Sequence, residues 1–357
     1  IAQLEEKAVI FKDFLFENYE NIEVLQYTQE EVILKYKNKE NLYKIKTEED
    51  DTMRRDYIED YNFTPFTKQV KFIYLAKPTL FAQDFENNIW IWHTDGSAIL
   101  KYAEAININF NEEIKGFMGD LFYTNENIYS VSENFDIQLG STNIDVNVNK
   151  CIYDYDKSFL LDLNGDIWIA ENNDFTNLKK IGETVSSLNN VKFKEIYNTF
   201  AITESDKVVL LEDGTEISEF SGSDIKKVIY SLILLNTGEI YEINYDNTVT
   251  KMDTSLKIKD FNDDYLITES NELMEWNRYN LESGSKVELD YTPAKLHNAN
   301  NLNIVEDING NIHTVLDKKD IIIEGKNWKS VQGSRTGIAL IDENNQLVVE
   351  GYLSQYD

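Results

Sequence analysis

The sequence predicts an all-β fold, a β-propeller of seven or eight short blades with an N-terminal helix. Three observations carry this expectation. One strand–turn–strand pattern recurs eight times, its strands are apolar on consecutive residues, and its turns hold Gly, Asn and Asp.

The copies read TLFAQDFENNIWIW, LFYTNENIYSV, SFLLDLNGDIWIA, TFAITESDKVVLL, SLILLNTGEIYEI, YLITESNELMEW, LNIVEDINGNIHTV and GIALIDENNQLVVEG. The first apolar residue after each turn is Ile89, Ile128, Ile167, Val208, Ile240, Leu273, Ile312 and Leu347, giving spacings of 39, 39, 41, 32, 33, 39 and 35. A weaker ninth hairpin, VILKYKNKENLYKIK, has its equivalent residue at Leu42. Further strand-like segments flank the hairpins, such as QVKFIY, VKFKEIY and IKKVIY before and TVTKM after, so each unit offers three or four strands.

The turns explain the hairpins. Asn164-Gly165, Asp213-Gly214, Thr237-Gly238 and Asn309-Gly310 put glycine where a tight turn needs positive φ, and Asn or Asp takes its place elsewhere. Runs such as Leu232 to Leu235 are apolar without alternation, so both faces of these strands are to be covered. A blade stacked between two neighbours meets that demand. A sandwich needs no repeated unit. The Trp-Asp signature of one propeller class and the paired glycines of another are absent.

Residues 1–66 read as an N-terminal part and residues 67–357 as the propeller. Leu4, Ala8, Phe11 and Leu15 form one apolar stripe at helical spacing, so residues 1–20 are expected to be a helix that docks on the propeller, or else the stub of a stalk or anchor. Residues 22–46 hold three strand candidates, one of which is expected to complete the last blade and remove an exposed edge. Residues 48–66 read as a polar connection.

Hydrophobic residues make up 42% of the chain and aromatics 12%, enough for a sizeable core. The formal net charge is -30, spread along the chain. Such a surface repels phosphate, which argues against nucleic acid and anionic membranes and tolerates a basic partner. No apolar run is long enough to insert in a membrane as a helix. Cys151 is the sole cysteine, which leaves no disulfide framework or thiolate cluster and does not fix the compartment.

Catalytic motifs are missing. His93, His297 and His313 fall in different units, with no HExxH, and there is no nucleophile elbow or phosphate loop. Asp162, Asn164 and Asp166 resemble the opening of a calcium loop, but Asn173 stands where its closing glutamate belongs. The segment matches the hairpin turn of the other units, as does Asp307 to Asn311, and both read as turns. No metal, cofactor or catalytic residue is expected.

The last unit carries a family resemblance. It runs from Trp328 to Gly351, and Gly333, Ala339, Leu340, Leu347 and Gly351 fall on the repeat of the regulator of chromosome condensation propeller family: strand, Gly, small polar residues, Ala-Leu strand, acidic turn, aliphatic strand, Gly. The other seven units keep the strand–turn–strand core and mostly lose both glycines. The resemblance implies a protein-binding platform, usually of seven blades. In eukaryotic members one face engages chromatin and a small GTPase, and bacterial members include an enzyme inhibitor. A charge of -30 speaks against the chromatin role.

The loop after each aromatic strand is the expected binding rim, and Trp92, Tyr245, Tyr279 and Tyr352 are its candidate residues. The leading expectation is a non-enzymatic module that binds a protein partner. The expected setting is a bacterial surface, secreted or phage-tail assembly, and the Asn, Ile, Lys and Glu bias is a compositional hint of an AT-rich genome. The alternatives are a carbohydrate- or receptor-binding adhesin module, and a hydrolase or lyase with a central-pocket active site.

Overall fold

The computed structural model describes residues 21–27, 31–37, 41–49, 54–76, 78–94, 97–119, 121–131, 137–141, 146–153, 156–299, 302–316 and 318–354. The helix expected over residues 1–20 lies outside them. Among the described residues helix is confined to one four-residue turn, Ile181–Thr184, and three 3-10 turns.

The fold is an all-β propeller with seven four-stranded antiparallel blades. The first blade is Val70–Ala76, Thr79–Asp84, Ile89–His93 and Ile106–Ile108. The second is Gly116–Met118, Leu121–Tyr123, Ile128–Val131 and Ile137–Ser141. The third is Val148–Tyr153, Lys157–Asp162, Ile167–Glu171 and Lys179–Lys180. The fourth is Phe193–Ile196, Phe200–Thr203, Val208–Leu210 and Glu216–Ile217. The fifth is Ile225–Ile229, Leu232–Leu235, Ile240–Ile243 and Val249–Lys251. The sixth is Ile258–Phe261, Tyr265–Thr268, Leu273–Asn277 and Glu282–Lys286. The seventh is Pro293–Ala299, Leu302–Asp307, Ile312–Leu316 and Lys319–Ile323.

The eighth repeat does not form a separate four-stranded sheet. Its strands Ser330–Gly333, Gly337–Ile341 and Leu347–Ser354 belong to an eight-stranded sheet. Next to Leu347–Ser354 lies Ser97–Ile99, from a loop of the first blade, and then the N-terminal strands Ile22–Tyr27, Glu31–Tyr36, Leu42–Glu49 and Arg54–Tyr61. An N-terminal strand therefore stands one place further out than the repeat pattern suggests. Part of the expected polar connection over residues 48–66 is a strand instead: Arg54–Tyr61 pairs antiparallel with Leu42–Glu49 along its whole length.

Two compact units divide the chain. One comprises residues 1–111, 297–304 and 309–357; the other comprises residues 112–296 and 305–308. Within the second unit the consecutive apolar residues separate as the covered-face argument requires. Leu232 and Leu234 pack with Ile258, Phe261 and Leu266 of the sixth blade. Ile233 and Leu235, pointing the other way, pack with Phe200, Ile202 and Val208 of the fourth. Each such side chain contributes about 1.5–3 kcal/mol by leaving water. In the first unit a separate cluster joins Val70, Ile73 and Leu80 to Ala339, Ile341 and Leu353.

One turn design recurs between the second and third strands. An Asp or Thr ends the second strand, or in the last unit directly follows it, and the residue three places on adopts positive φ: Asn87, Gly165, Asp206, Gly238, Asn271, Gly310 and Asn345. Leu235 takes the first place in the fifth blade. The Asp162 carboxylate accepts from the backbone N–H of Asn164 (2.8 Å) and Asp166 (2.9 Å) and from the Trp168 indole (2.9 Å). Asp84 does the same for Glu86, Asn88 and Trp90. Burial raises the Asp84 carboxyl, but the bonds from Trp90, Asn88 and Glu86 outweigh it and hold the group below its ordinary value. Both oxygens of Asp162 are thus committed to shaping a hairpin, the structural reason for a motif that imitates a calcium loop.

The first strands share a second device. A β-bulge follows their opening residue, between Val148 and Lys150, Phe193 and Glu195, Ile225 and Lys227, and Ile258 and Asp260. The residue after the bulge is charged in these four blades, with alternating sign. Lys150 donates to Glu195 at 2.7 Å and Lys227 to Asp260 at 2.6 Å.

Candidate functional site

A recess of about 500 Å³ opens in the second unit, lined by Tyr153, Tyr230, Tyr245 and Tyr279 together with Glu242, Arg278 and small polar residues. Its walls come from two kinds of loop. Tyr153 ends the first strand of the third blade, and Tyr230 forms a two-residue turn with Ser231 after the first strand of the fifth. Tyr245 and Tyr279 follow the third strands of the fifth and sixth blades.

Local backbone chemistry aims each ring. Tyr245 is the second residue of a turn closed by Asn244 N–H on the Thr248 carbonyl, and it stands fully in solvent, at 107% relative exposure. Tyr279 is 80% exposed and sits in an Asx-turn whose Asn277 side chain accepts from the Tyr279 N–H at 3.0 Å. Arg278 joins the sixth blade to the fifth. Its guanidinium carbon lies 4.9 Å from the Tyr279 ring centre and 5.7 Å from that of Tyr230, and its charge is met by Asp263.

Tyr230 adopts φ +53, a conformation that an L side chain other than Asn or Asp seldom takes. The fold gains nothing from this that Asn would not supply better. Tyr230→Asn is therefore expected to be neutral or to stabilise by up to about 1 kcal/mol, the lost ring contact with Arg278 offsetting part of the gain. Thermal unfolding of the variant checks this, and a marked drop in the midpoint would contradict it.

Glu242 lies half-buried on the third strand of the fifth blade, opposite Leu232. Burial pushes its carboxyl above the ordinary carboxylate range, against one hydrogen bond from the Ser231 hydroxyl. No ion pair joins it to a cation of the described residues. None of the three histidines lines the recess.

Of the residues expected on the rim, Tyr245 and Tyr279 come together here. Trp92 does not. It lies inside the strand Ile89–His93, opposite Leu80, is 2% exposed, and packs edge-on to Phe66 at 4.9 Å in the core of the first unit. The loop begins after His93, so register turns Trp92 inward. Tyr352 is half-buried within Leu347–Ser354, opposite Ile99, with its backbone tied to Thr336. Sequence reasoning missed Tyr153, Tyr230, Glu242 and Arg278. A signal was present: an Ile-Tyr pair stands at the end of the first strand in three successive blades, as Ile152-Tyr153, Ile196-Tyr197 and Ile229-Tyr230.

No family model matches the chain, and no curated protein matches it. Among solved structures it is similar to the computationally designed Ika8 protein, at 8% identity and a TM-score of 0.50, over 81% of this chain and 98% of that one. It is also similar to BamB from Moraxella catarrhalis (11% identity, TM-score 0.44, 81% and 100% covered) and to Sqt1 from Saccharomyces cerevisiae (11%, 0.48, 81% and 97%). At such identities the likeness concerns the fold.

Proposed function

We propose that this chain is a non-enzymatic binding module that docks a protein partner through the tyrosine-lined recess of its second unit. The observation that carries the reading is the exposure of four tyrosines around one recess, one of them held in an unfavourable backbone conformation. Exposed tyrosines cost the free protein solvation and supply rigid, amphipathic contact area to a partner. The recess offers Glu242 without a histidine or a second unpaired carboxylate beside it, which favours recognition over acid–base chemistry. Kinship with the regulator of chromosome condensation propellers belongs to the same proposal. It is supported by Gly333, where a Cβ would lie 2.9 Å from the Ala299 and Leu302 side chains, and by Gly351, at φ +82. A bacterial surface, secreted or phage-tail setting belongs to the same proposal.

Replacing Tyr153, Tyr230, Tyr245 and Tyr279 together with alanine is expected to weaken partner capture from source-cell extract at least tenfold. A variant with Phe85, Leu163 and Ile308 changed to serine alters exposed hairpin-turn residues elsewhere and is expected to keep it. The reverse pattern would move docking to the hairpin turns.

A further inference from the structure

We infer that the recess takes a basic segment of its partner, with a lysine or arginine side chain laid against the tyrosine faces and its charge on the Glu242 carboxylate. The inference rests on the docking reading above and names the chemistry of the occupant.

Glu242 is the first support. It faces the recess from a rigid strand, is half out of water, and has the Ser231 hydroxyl rather than a cation beside it. A carboxylate withdrawn from water is stabilised by an arriving positive charge. The recess has one cation of its own, Arg278, and Asp263 already neutralises it. Glu242 therefore leaves the lining with an unmatched negative charge.

The second support is the rings. Aromatic faces attract ammonium and guanidinium groups through their quadrupole. The same unit uses that contact internally, with Arg278 on Tyr230 and Tyr279, and Lys150 4.6 Å from the ring centre of Tyr197. Tyr245 and Tyr153 present further ring surface that no cation of the described residues covers, and both are exposed. The third support is the field of the whole chain. A net charge of -30 attracts basic segments from a distance and repels acidic ones.

The test uses the full chain and a nine-residue peptide of Ser and Gly with two lysines, titrated at physiological salt by NMR. Its acetyl-lysine counterpart keeps the side-chain stem and removes the charge. The lysine peptide is expected to bind. Acetylation, Glu242→Gln, and the Tyr245→Ala/Tyr279→Ala double variant are each expected to weaken binding by about tenfold. Asp320→Asn, which removes an exposed charge in the other unit, is expected to leave it within about twofold. Tyr245 and Tyr279 stand clear of the core, and thermal unfolding confirms that the variants are folded.

If the lysine peptide does not bind, or the acetylated peptide binds equally well, the inference is overturned. Equal loss with Asp320→Asn would reduce the effect to general charge attraction and also overturns it, as would a neutral β-linked glucose oligomer occupying the site in place of the peptide. If Glu242→Gln is silent while the tyrosine variant loses the peptide, the carboxylate contact and with it the inference falls, and the docking reading stands. If neither variant changes binding, both fall.

Discussion

Asp260→Ala is expected to lower stability by roughly 3–5 kcal/mol, read as a large shift of the urea unfolding midpoint. Asp260 is buried on the first strand of the sixth blade. One carboxylate oxygen accepts from the Lys227 ammonium at 2.6 Å and from the Phe261 N–H at 2.9 Å; the other accepts from the Leu296 N–H at 2.7 Å. Alanine leaves the Leu296 amide without its acceptor and the Lys227 charge without its counterion. Lys227 would retain the Phe261 and Leu296 carbonyls, at 2.7 and 3.0 Å, but these cannot neutralise it. Burial already holds the Lys227 ammonium below the ordinary lysine value even beside Asp260.

The two ends of the pair are accordingly unequal. Lys227→Met leaves Asp260 with its two backbone donors and is expected to cost less, about 1–3 kcal/mol. Asp260→Asn keeps an acceptor for Leu296 and should fall between the two. Equal losses for Asp260→Ala and Lys227→Met would show that the pair acts through its charge alone and not through the amide it anchors.

Trp92→Ala is expected to cost roughly 3–5 kcal/mol, whereas Tyr245→Ala should leave stability within about 0.5 kcal/mol. The indole of Trp92 fills space among Leu75, Leu80, Ala98 and Leu100, with the Phe66 ring against it, so truncation opens a cavity in a packed core. Tyr245 has no such surroundings. Denaturant unfolding of the two variants separates them. A stable Trp92→Ala protein would mean that this core tolerates the void.

These two aromatics mark the limit of what the chain spells out. Eight strand–turn–strand units were legible because a hairpin is local. Its turn residue and both strands lie close together in the chain, and the fourth turn place does hold Gly, Asn or Asp at positive φ in seven of them. Which face a strand residue shows depends on register. Trp92 and Tyr245 belong to equivalent third strands and their loops, but Trp92 lies inside its strand and Tyr245 two places beyond its own. The strand Arg54–Tyr61 was illegible because its charged residues, Arg54 to Asp56 and Glu59 to Asp60, give it no apolar strand pattern. Glu242 and Arg278 were illegible because a recess assembled from four blades has no sequence signature of its own. Tyr230 was different: a tyrosine between two apolar strands, where a tight turn calls for Gly or Asn, is an anomaly that the residues alone display.

The eight-stranded sheet sets an order of events during synthesis. Ser97–Ile99 finds its hydrogen-bonding neighbour in Tyr352–Ser354, and Val70 donates its amide to the Asn345 carbonyl. A ribosome delivers those later residues only after nearly all intervening blades have emerged. The outer edge of Ser97–Ile99 and the Val70 amide must therefore wait unpaired, although the N-terminal strands before them already have one another. A nascent chain stalled before Leu347 would carry that waiting edge openly, and it is there that a chaperone, or a misplaced second copy, would first find a hold.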